Sequence, residues 1–252
     1  MTDILAEEQE RGITVEVSSN EIKISDKDFI LLDCPGHRNF ASSVLSDGLS
    51  QADIAVLVVS IRKGEFLSGM KDRIPEFLLF IKGYNVKSVI VAVNKMDTVD
   101  WNAEVFESFC KQVRSVIEKY KIDIHSFHPV SGKTCRGIDK SELGMPCLFD
   151  ALLSAKVSLA ARPVPVLVST LMINNALLRM VGSTLISVGF RGIIHLGRET
   201  SECEITMMNS VFAKKGDKPI CNIKLDNQVL LDTSMRYFVL RTQGQTIAVG
   251  QY

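Results

Sequence analysis

The chain has 252 residues, of which 46% are hydrophobic and 23% charged, and this composition excludes an intrinsically disordered protein. Lys and Arg together number 29, as do Asp and Glu, so the charge balance excludes a strongly basic surface for naked nucleic acid. Six cysteines without a C-x-x-C pair, the lack of an apolar run of roughly 20 residues, and the lack of a signal peptide at residues 1–8 predict a cytoplasmic protein with free thiols.

Strand-like and helix-like segments alternate as far as about residue 160. Helices are predicted at residues 40–49, 75–84, 103–121 and 146–159. Strands are predicted at residues 13–17, 29–32, 54–60, 88–93 and 127–130. The runs at 54–60 and 88–93 are continuously apolar, which is typical of strands buried on both faces of a parallel sheet. This alternation predicts an α/β domain over residues 1–162, with a parallel sheet and helices on both faces.

The pattern changes at Pro163 and Pro165, which follow Arg162 and predict a stiff, extended connector. Beyond them, short apolar runs are broken by Gly, Asn and Asp. These runs lie at residues 166–172, 184–188, 193–196, 220–225, 238–241 and 246–249. They predict a small all-β barrel or sandwich over residues 163–252.

The sequence DCPGH follows the predicted strand at 29–32 and contains Asp33, Gly36 and His37. A carboxylate at the carboxyl end of a parallel strand faces the crevice where α/β proteins bind ligands. In phosphate chemistry Asp33 would hold Mg²⁺ through water, and Gly36 would let a backbone N–H approach a terminal phosphate. His37 would direct an attacking water. Taken alone, the motif is equally compatible with an ordinary strand-to-helix turn.

The sequence NKMD follows the predicted strand at 88–93 and contains Asn94, Lys95 and Asp97. Asp97 can accept hydrogen bonds from the N1 and N2 donors of guanine, which adenine lacks, so this carboxylate would read the base. The Asn94 amide would tie the loop to its neighbours and to the base edge, and the Lys95 stem would lie over the ring. The alternative is a polar loop with a solvated lysine, but a given four-residue string is expected by chance in well under ~1% of chains this long.

Two further motifs are weaker. Ser131, Gly132 and Lys133 follow the predicted strand at 127–130, where their backbone amides would meet the guanine carbonyl oxygen; taken alone, a plain turn explains them better. Thr14 lies in the sequence ERGIT, where its hydroxyl would join a Mg²⁺ shell. A helix end followed by a strand explains Thr14 equally well.

The four motifs follow one another in a fixed order, each at the end of a predicted element, and together they resemble the translational GTPases. Within that family the chain is most similar to elongation factor 1-alpha, the release-factor GTPase and the ribosome-rescue GTPase that partners Pelota. The likeness between residues 7 and 138 is carried by EEQERGITV, LLDCPGHRNF, QADIAVLVVS, GEF, VIVAVNKMDTVDW and PVSGKT. It resumes in FAKKGD, RYFVLR and QTIAVG, which are similar to the third domain of elongation factor 1-alpha. The resemblance implies a truncated P-loop-type G domain followed by that β-barrel. It also implies that the family's middle barrel is missing, with a hybrid stub of the second barrel as the alternative.

The family's phosphate loop, G-x-x-x-x-G-K-[ST], does not occur in these residues. Its lysine and hydroxyl supply the main grip on the phosphates and Mg²⁺. In the family fold the first strand lies between the strands equivalent to 29–32 and 54–60. We therefore expect either unpaired strand edges there or direct pairing of those two strands. The sequence KDRIPEF at 71–77 and Asn39 also depart from the family pattern, which weakens the expectation of ribosome-triggered switching.

These departures lead to three functional hypotheses. The first is a degenerate, non-hydrolysing homologue that binds GTP or GDP weakly, with Mg²⁺ only beside the nucleotide and with His37 idle. It would act in translation or ribosome rescue and surveillance, with the ribosome or a translation, rescue or RNA-decay factor as partner and with neither DNA nor a membrane. The second is an active GTPase whose first segment is absent from these residues, and the third is an interaction module that ignores nucleotides.

Overall fold

The computed structural model describes residues 14, 16–36, 44–49, 51–84, 86, 88–155, 167–232 and 237–252. Within these ranges an α/β unit with a parallel sheet is followed by a closed antiparallel barrel, which confirms the predicted fold class. The connector at 162–165 lies outside the described residues, so the domain bounds 1–162 and 163–252 stay predictions. In the part of the chain described, no helix combines the length and apolar character that crossing a membrane requires.

The first two strands form an antiparallel hairpin, β1 (Ser18–Ile24) and β2 (Lys27–Asp33). Ile24 lies opposite Lys27, and a two-residue turn with Ser25 at φ 56° joins the strands. Of the predicted strand at 13–17, the structure describes residues 14, 16 and 17, and none of these three is in a strand, since β1 begins at Ser18. The turn fixes the register over seven residues on each side, so it brings polar residues into β1 that no apolar pattern marks.

Three parallel strands form the sheet of the α/β unit: β3 (Ile54–Ser60), β4 (Ser88–Asn94) and β5 (Ile124–Pro129). Their order is β3-β4-β5, with Ile54 opposite Ser88 and Val91 opposite Phe127. The central strand β4 is buried along its length as far as Asn94, as its continuous apolar run predicts.

The strands β2 and β3 belong to different sheets, and within the described residues no strand pairs with the outer edge of β3. Of the two expected outcomes, the described residues therefore show unpaired strand edges. Three apolar side chains remain exposed on these strands: Ile30 and Leu31 on β2, at 69% and 42%, and Val58 on β3, at 60%. Val58 belongs to the parallel sheet, where an exposed apolar side chain marks a face that lacks its usual cover.

Helices cover both faces of the sheet: α1 (Glu65–Gly83), α2 (Ala103–Ile117) and α3 (Leu148–Ser154). The side chains of Val89 and Val91 face α1 and α2, whereas Ile90 faces α3, as the alternation of a strand requires. Asn102 caps α2 by accepting a hydrogen bond from the Val105 N–H. A short 3₁₀ turn, Glu118–Tyr120, follows α2.

The predicted start of the helix at residue 75 is wrong, because α1 begins ten residues earlier, at Glu65. Pro75 lies inside the helix although proline there removes a hydrogen bond. Tertiary packing stabilises the first turns of α1: the ring of Phe66 packs edge-on against the ring of Phe109 in α2, and the ring centres are 4.9 Å apart. Of the helix predicted at 40–49, the structure describes Val44–Leu49, which is π-helical.

The second unit contains the strands β6 (Leu167–Met180), β7 (Ile186–Ser187), β8 (Arg191–Leu196), β9 (Glu199–Met208), β10 (Phe212–Ala213), β11 (Ile220–Asp232), β12 (Tyr237–Thr242) and β13 (Gln245–Gln251). Six of them close into a barrel in the order β11-β6-β13-β12-β8-β9, which is the one closed barrel formed by residues 167–232 and 237–252. A short pair, β7 with β10, lies beside it. The strand β9 was not predicted, because buried residues such as Ser201, Cys203 and Ile205 alternate with the charged residues Glu202 and Glu204.

The α/β unit covers one outer face of the barrel. Val239 of β12 alternates with core residues and therefore points outward, yet it is fully buried against Phe80 of α1 and Leu45. The guanidinium of Arg241 lies 5.7 Å from the centre of the Phe80 ring. The Tyr84 hydroxyl donates a hydrogen bond of 3.2 Å to the Gly197 carbonyl oxygen. The two units thus share an apolar seam, centred on Phe80.

Candidate functional site

The carboxyl ends of β4 and β5 bring two loops, residues 94–97 and 131–136, against each other. The Val130 N–H donates to the Val93 carbonyl at 2.9 Å, and the Met96 N–H donates to the Val130 carbonyl at 3.2 Å. Backbone pairing thus continues past the end of β5. The side chain of Met96 is fully buried beneath the loops, which fixes the polar residues on either side of it at the surface.

The Asn94 side chain ties the two loops together. Its Oδ1 accepts hydrogen bonds from the Gly132 N–H at 2.9 Å and from the Lys95 N–H at 2.7 Å. Its Nδ2 makes no hydrogen bond within the described residues. One end of the amide therefore orders the loops, and the other end remains available as a donor.

The carboxylate of Asp97 is positioned by Ser131, which is fully buried. The Ser131 hydroxyl donates to Asp97 Oδ1 at 2.6 Å and accepts a hydrogen bond from the Thr134 N–H at 3.3 Å. Because a carboxylate has about four acceptor positions, Asp97 retains the capacity to accept two more donors. Asp97 is only half-buried, so a ligand can reach it.

Lys95 has a left-handed backbone, with φ 68°, and its Nζ lies 2.7 Å from Oε2 of Glu65, the first residue of α1. This hydrogen bond is the main cause that lowers the pKa of Glu65, and a second bond from Ser60 adds to the shift. Non-glycine residues in the left-handed region cluster at functional sites. The partner Glu65 was missed by the sequence analysis, where it stood only within the string GEF.

Arg136 in the second loop forms a clamp with Glu142 and Trp101. The Arg136 guanidinium donates two hydrogen bonds to the Glu142 carboxylate, of 2.8 and 2.7 Å. The central carbon of the guanidinium, Cζ, lies 4.2 Å from the centre of the Trp101 ring. The pairing raises the pKa of Arg136 and lowers that of Glu142. Sequence reasoning missed this clamp, although Trp101 is the chain's one tryptophan.

Gly137 ends the second loop in a conformation that requires glycine. Its φ is +79°, and a Cβ at this position would lie 2.0 Å from the carbonyl oxygen of Pro129. The Gly137 carbonyl also accepts a hydrogen bond from the Leu148 N–H at 3.0 Å. This close approach lets the chain return past the end of β5, and the sequence analysis assigned it no role.

Within the described residues, no hydrogen bond joins the residues predicted for phosphate and metal chemistry to those predicted to read the base. Asp33 ends β2, which shares no sheet with β3, and within the described residues no hydrogen bond joins it to the two loops. Gly36 is exposed, with open space where a Cβ would stand, and Thr14 is half-buried. His37 lies outside the described residues, and Lys133 is exposed.

Metal binding stays a prediction. In the described part of the chain, no three or more His, Cys, Asp or Glu residues gather in a way that could hold a metal ion. Mg²⁺ at nucleotide sites is usually held by one or two carboxylates together with the phosphates of the substrate. Thr14 and Asp33 therefore fit only a Mg²⁺ shell that a bound nucleotide would complete.

Comparison with known proteins places these loops in a family context. The family model described as "Elongation factor Tu GTP binding domain" matches residues 1–187. Elongation factor 1-alpha of Thermofilum pendens is 35% identical over 159 residues, which cover 59% of this chain and 36% of the relative. That of Aeropyrum pernix is 40% identical over 137 residues, which cover 51% of this chain and 31% of the relative. The chain thus spans about a third of the length of these relatives.

Two solved structures share the fold. The Ski7 GTPase-like domain of S. cerevisiae, bound to GTP, has a TM-score of 0.75 at 12% identity, covering 98% of this chain and 84% of that chain. The bacterial selenocysteine-specific elongation factor has a TM-score of 0.69 at 15% identity, covering 99% of this chain and 53% of that chain. At such identities the likeness shows the fold alone.

Proposed function

We propose a function for this chain from its family: it belongs to the elongation factor Tu GTP-binding domain family. The proposed function is that of a translational GTPase homologue that binds guanine nucleotides without hydrolysing GTP. The observation that supports this proposal is a pair of hydrogen bonds between the loops, one joining Asn94 to Gly132 and one joining Ser131 to Asp97. They hold the base-reading groups in place before any ligand arrives, and preorganisation of this kind lowers the cost of binding. Guanine offers two donors to Asp97, whereas adenine offers an acceptor at N1.

The proposal includes weak binding and no hydrolysis. Catalysis of phosphoryl transfer depends on positioning and electrostatic clamping of the phosphates, and the loop that provides both does not occur in these residues. Each lost charge-assisted contact removes roughly 1.5–3 kcal/mol. The loss of several such contacts would turn tight binding into roughly millimolar binding.

The proposed setting is translation or ribosome rescue and surveillance in the cytoplasm. The partner would be the ribosome or a translation, rescue or RNA-decay factor. This part of the proposal is supported by relatives named elongation factor 1-alpha and, at the level of the fold, by the Ski7 GTPase-like domain. We also propose that residues 163–252 correspond to the third domain of elongation factor 1-alpha.

Guanine recognition is tested by competition between GDP and ADP, read through the fluorescence of Trp101. Wild type should prefer GDP, and Asp97→Asn should remove the preference, because an amide cannot accept both hydrogen bonds. Asp100→Asn is the matched control, because Asp100 is an exposed carboxylate in the same turn with no role in the site. Equal and negligible binding of both nucleotides to wild type would contradict the proposal and favour the interaction module.

Hydrolysis is tested separately by phosphate release from GTP. Wild type should release no phosphate above the blank. Turnover that is present in wild type and disappears in His37→Ala would show that the chain is a working enzyme.

A second candidate function, an active GTPase completed by a segment outside these residues, is favoured by one observation. No strand among the described residues pairs with the outer edge of β3, and the side chain of Val58 in this strand is exposed. An in-frame G-x-x-x-x-G-K-[ST] motif in the upstream coding sequence would support this candidate. Restored GTP turnover on adding that segment would establish it, and an upstream sequence without the motif would remove it.

A further inference from the structure

A cleft lies between the end of α1 and the barrel, away from the guanine-reading loops. It encloses a cavity of about 210 Å³ lined in part by apolar side chains, Leu79 of α1, Leu177 of β6 and Val249 of β13. Lys82, Arg179 and Lys218 also line it, and they come from α1, β6 and the segment before β11. Apolar surface and three cations thus meet where the two units join.

Two of the cations in the cleft, Lys82 and Arg179, lie close enough to repel each other. Lys82 donates a hydrogen bond of 2.7 Å to the Tyr120 carbonyl, which keeps its ammonium group in place. The pKa of Lys82 is lowered first by burial and then by the positive charges of Arg179 and Lys121. Like charges at such range repel one another, and an anionic partner would relieve the repulsion.

The described residues provide no such anionic partner. Neither Arg179 nor Lys218 forms an ion pair with any carboxylate in the ranges that the structure describes. Asp217, the neighbour of Lys218 in sequence, turns back and accepts a hydrogen bond from the Lys214 N–H at 2.9 Å. The charge of the cleft is therefore complementary to an acidic ligand.

We propose that this cleft binds an acidic peptide segment of a partner protein, with one apolar side chain in the cavity and carboxylates beside Lys82, Arg179 and Lys218. The cavity is smaller than the roughly 300–1,000 Å³ of sites that enclose a small molecule, so it suits one side chain of a longer ligand. A nucleic-acid backbone would use the cations but has no aliphatic side chain to fill the apolar part. The proposal is independent of the guanine site, since the two share no residue.

The test is a peptide selection with the full chain as bait, using a library of random 12-residue peptides. We expect the selected peptides to contain several Asp or Glu residues around one Leu, Phe or Tyr. The strongest peptide is then measured by fluorescence polarisation beside its counterpart with every Asp and Glu amidated. The counterpart should bind at least about tenfold more weakly, and added salt should weaken the acidic peptide.

Matched variants locate the binding. Arg179→Glu with Lys218→Glu should weaken the acidic peptide by about tenfold or more, because both side chains are exposed and the change reverses their charge. Lys224→Glu is the control, since Lys224 pairs with Met172, seven residues from Arg179 on β6 and so roughly 20 Å away. It should change the affinity by less than about twofold. The apolar part of the cleft is tested by Leu177→Asn, which should weaken binding of the peptide. Leu230 is an exposed barrel leucine outside the cleft, so Leu230→Asn should leave binding unchanged.

Three outcomes would overturn the proposal. One is a selection without acidic enrichment in wild type. Another is an equal loss of affinity in Lys224→Glu and in the double variant. The third is a single-stranded RNA probe that binds this cleft more tightly than the best peptide and responds to the same variants, which would make it a nucleic-acid surface.

Discussion

The Ser131 hydroxyl donates a hydrogen bond of 2.6 Å to Oδ1 of Asp97, a residue 34 positions earlier in the chain. The contact joins the loops after two neighbouring parallel strands and sets the direction of the carboxylate that would read the base. Ser131 is fully buried, so water cannot replace its hydroxyl without a rearrangement. The orientation of the Asp97 carboxylate therefore depends on a residue in a different loop.

Ser131→Ala tests this dependence. We expect the free energy of unfolding to fall by about 1–3 kcal/mol, because Asp97 loses a hydrogen bond from a buried partner. The preference for GDP over ADP should fall with it. Both effects are measurable by urea unfolding and by nucleotide competition. Ser115→Ala, on the exposed face of α2, should change stability by less than about 0.5 kcal/mol and leave the preference intact. A GDP preference that survives in Ser131→Ala would show that Asp97 needs no such support.

Gly137→Ala and Gly144→Ala form a pair that separates contact from backbone strain. Both glycines have positive φ, of +79° and +69°, but only Gly137 has a neighbour, the Pro129 carbonyl oxygen, that a Cβ would strike. Gly144→Ala should cost about 1–2 kcal/mol from the backbone alone. Gly137→Ala should lower the free energy of unfolding by more than Gly144→Ala does, and it should also disturb the loop that begins at Ser131. Thermal unfolding of the two variants gives the comparison, and equal losses would mean that the close approach is easily relaxed.

Cysteine labelling reports on the second loop. All six cysteines are unbridged; Cys135 is exposed in the loop, whereas Cys203 and Cys221 are buried in the barrel. Burial raises the pKa of both barrel thiols to about 12, which leaves little thiolate to react. In the native protein N-ethylmaleimide should label Cys135 first, and GDP should slow this labelling more than ADP does. Mass spectrometry locates the label, and rapid native labelling of Cys203 or Cys221 would contradict the barrel packing.

Stability should fall in mild acid through His195. Burial lowers the pKa of this histidine from 6.5 to about 4, and the positive charge of Arg241 adds to the shift. Because the unfolded chain binds the proton more readily, stability is lost as the pH falls from about 6.5 to 4, by about 3 kcal/mol in total. Urea unfolding at pH 7, 6 and 5 should show the loss in wild type and a smaller one in His195→Gln. The exposed His125→Gln variant should follow wild type, and an unchanged slope in His195→Gln would exclude this assignment.

Elements with a strong local pattern were predictable from the sequence. The continuous apolar run of β4 and the capped, amphipathic α2 lie where their patterns place them. The loops at 94–97 and 131–136 could also be expected side by side, because they follow two parallel strands whose carboxyl ends lie at the same edge of the sheet. By contrast, no periodicity marks the pairing of Lys95 with Glu65 or the clamp of Arg136. These contacts join residues whose closeness is decided by the packing of α1 and by the path of a loop.

The burial of Phe80 also has an evolutionary consequence. Its ring is covered by Leu45 on one side of the seam and by Val239 on the other. A gene fragment that encoded only the α/β unit would leave this phenylalanine in water, and one that encoded only the barrel would leave Val239 uncovered. Exposing an apolar side chain in this way lowers the free energy of unfolding by roughly 1.5–3 kcal/mol and promotes aggregation. The two units are therefore expected to be inherited and lost together, and recombination between them would have to supply a new cover for both surfaces.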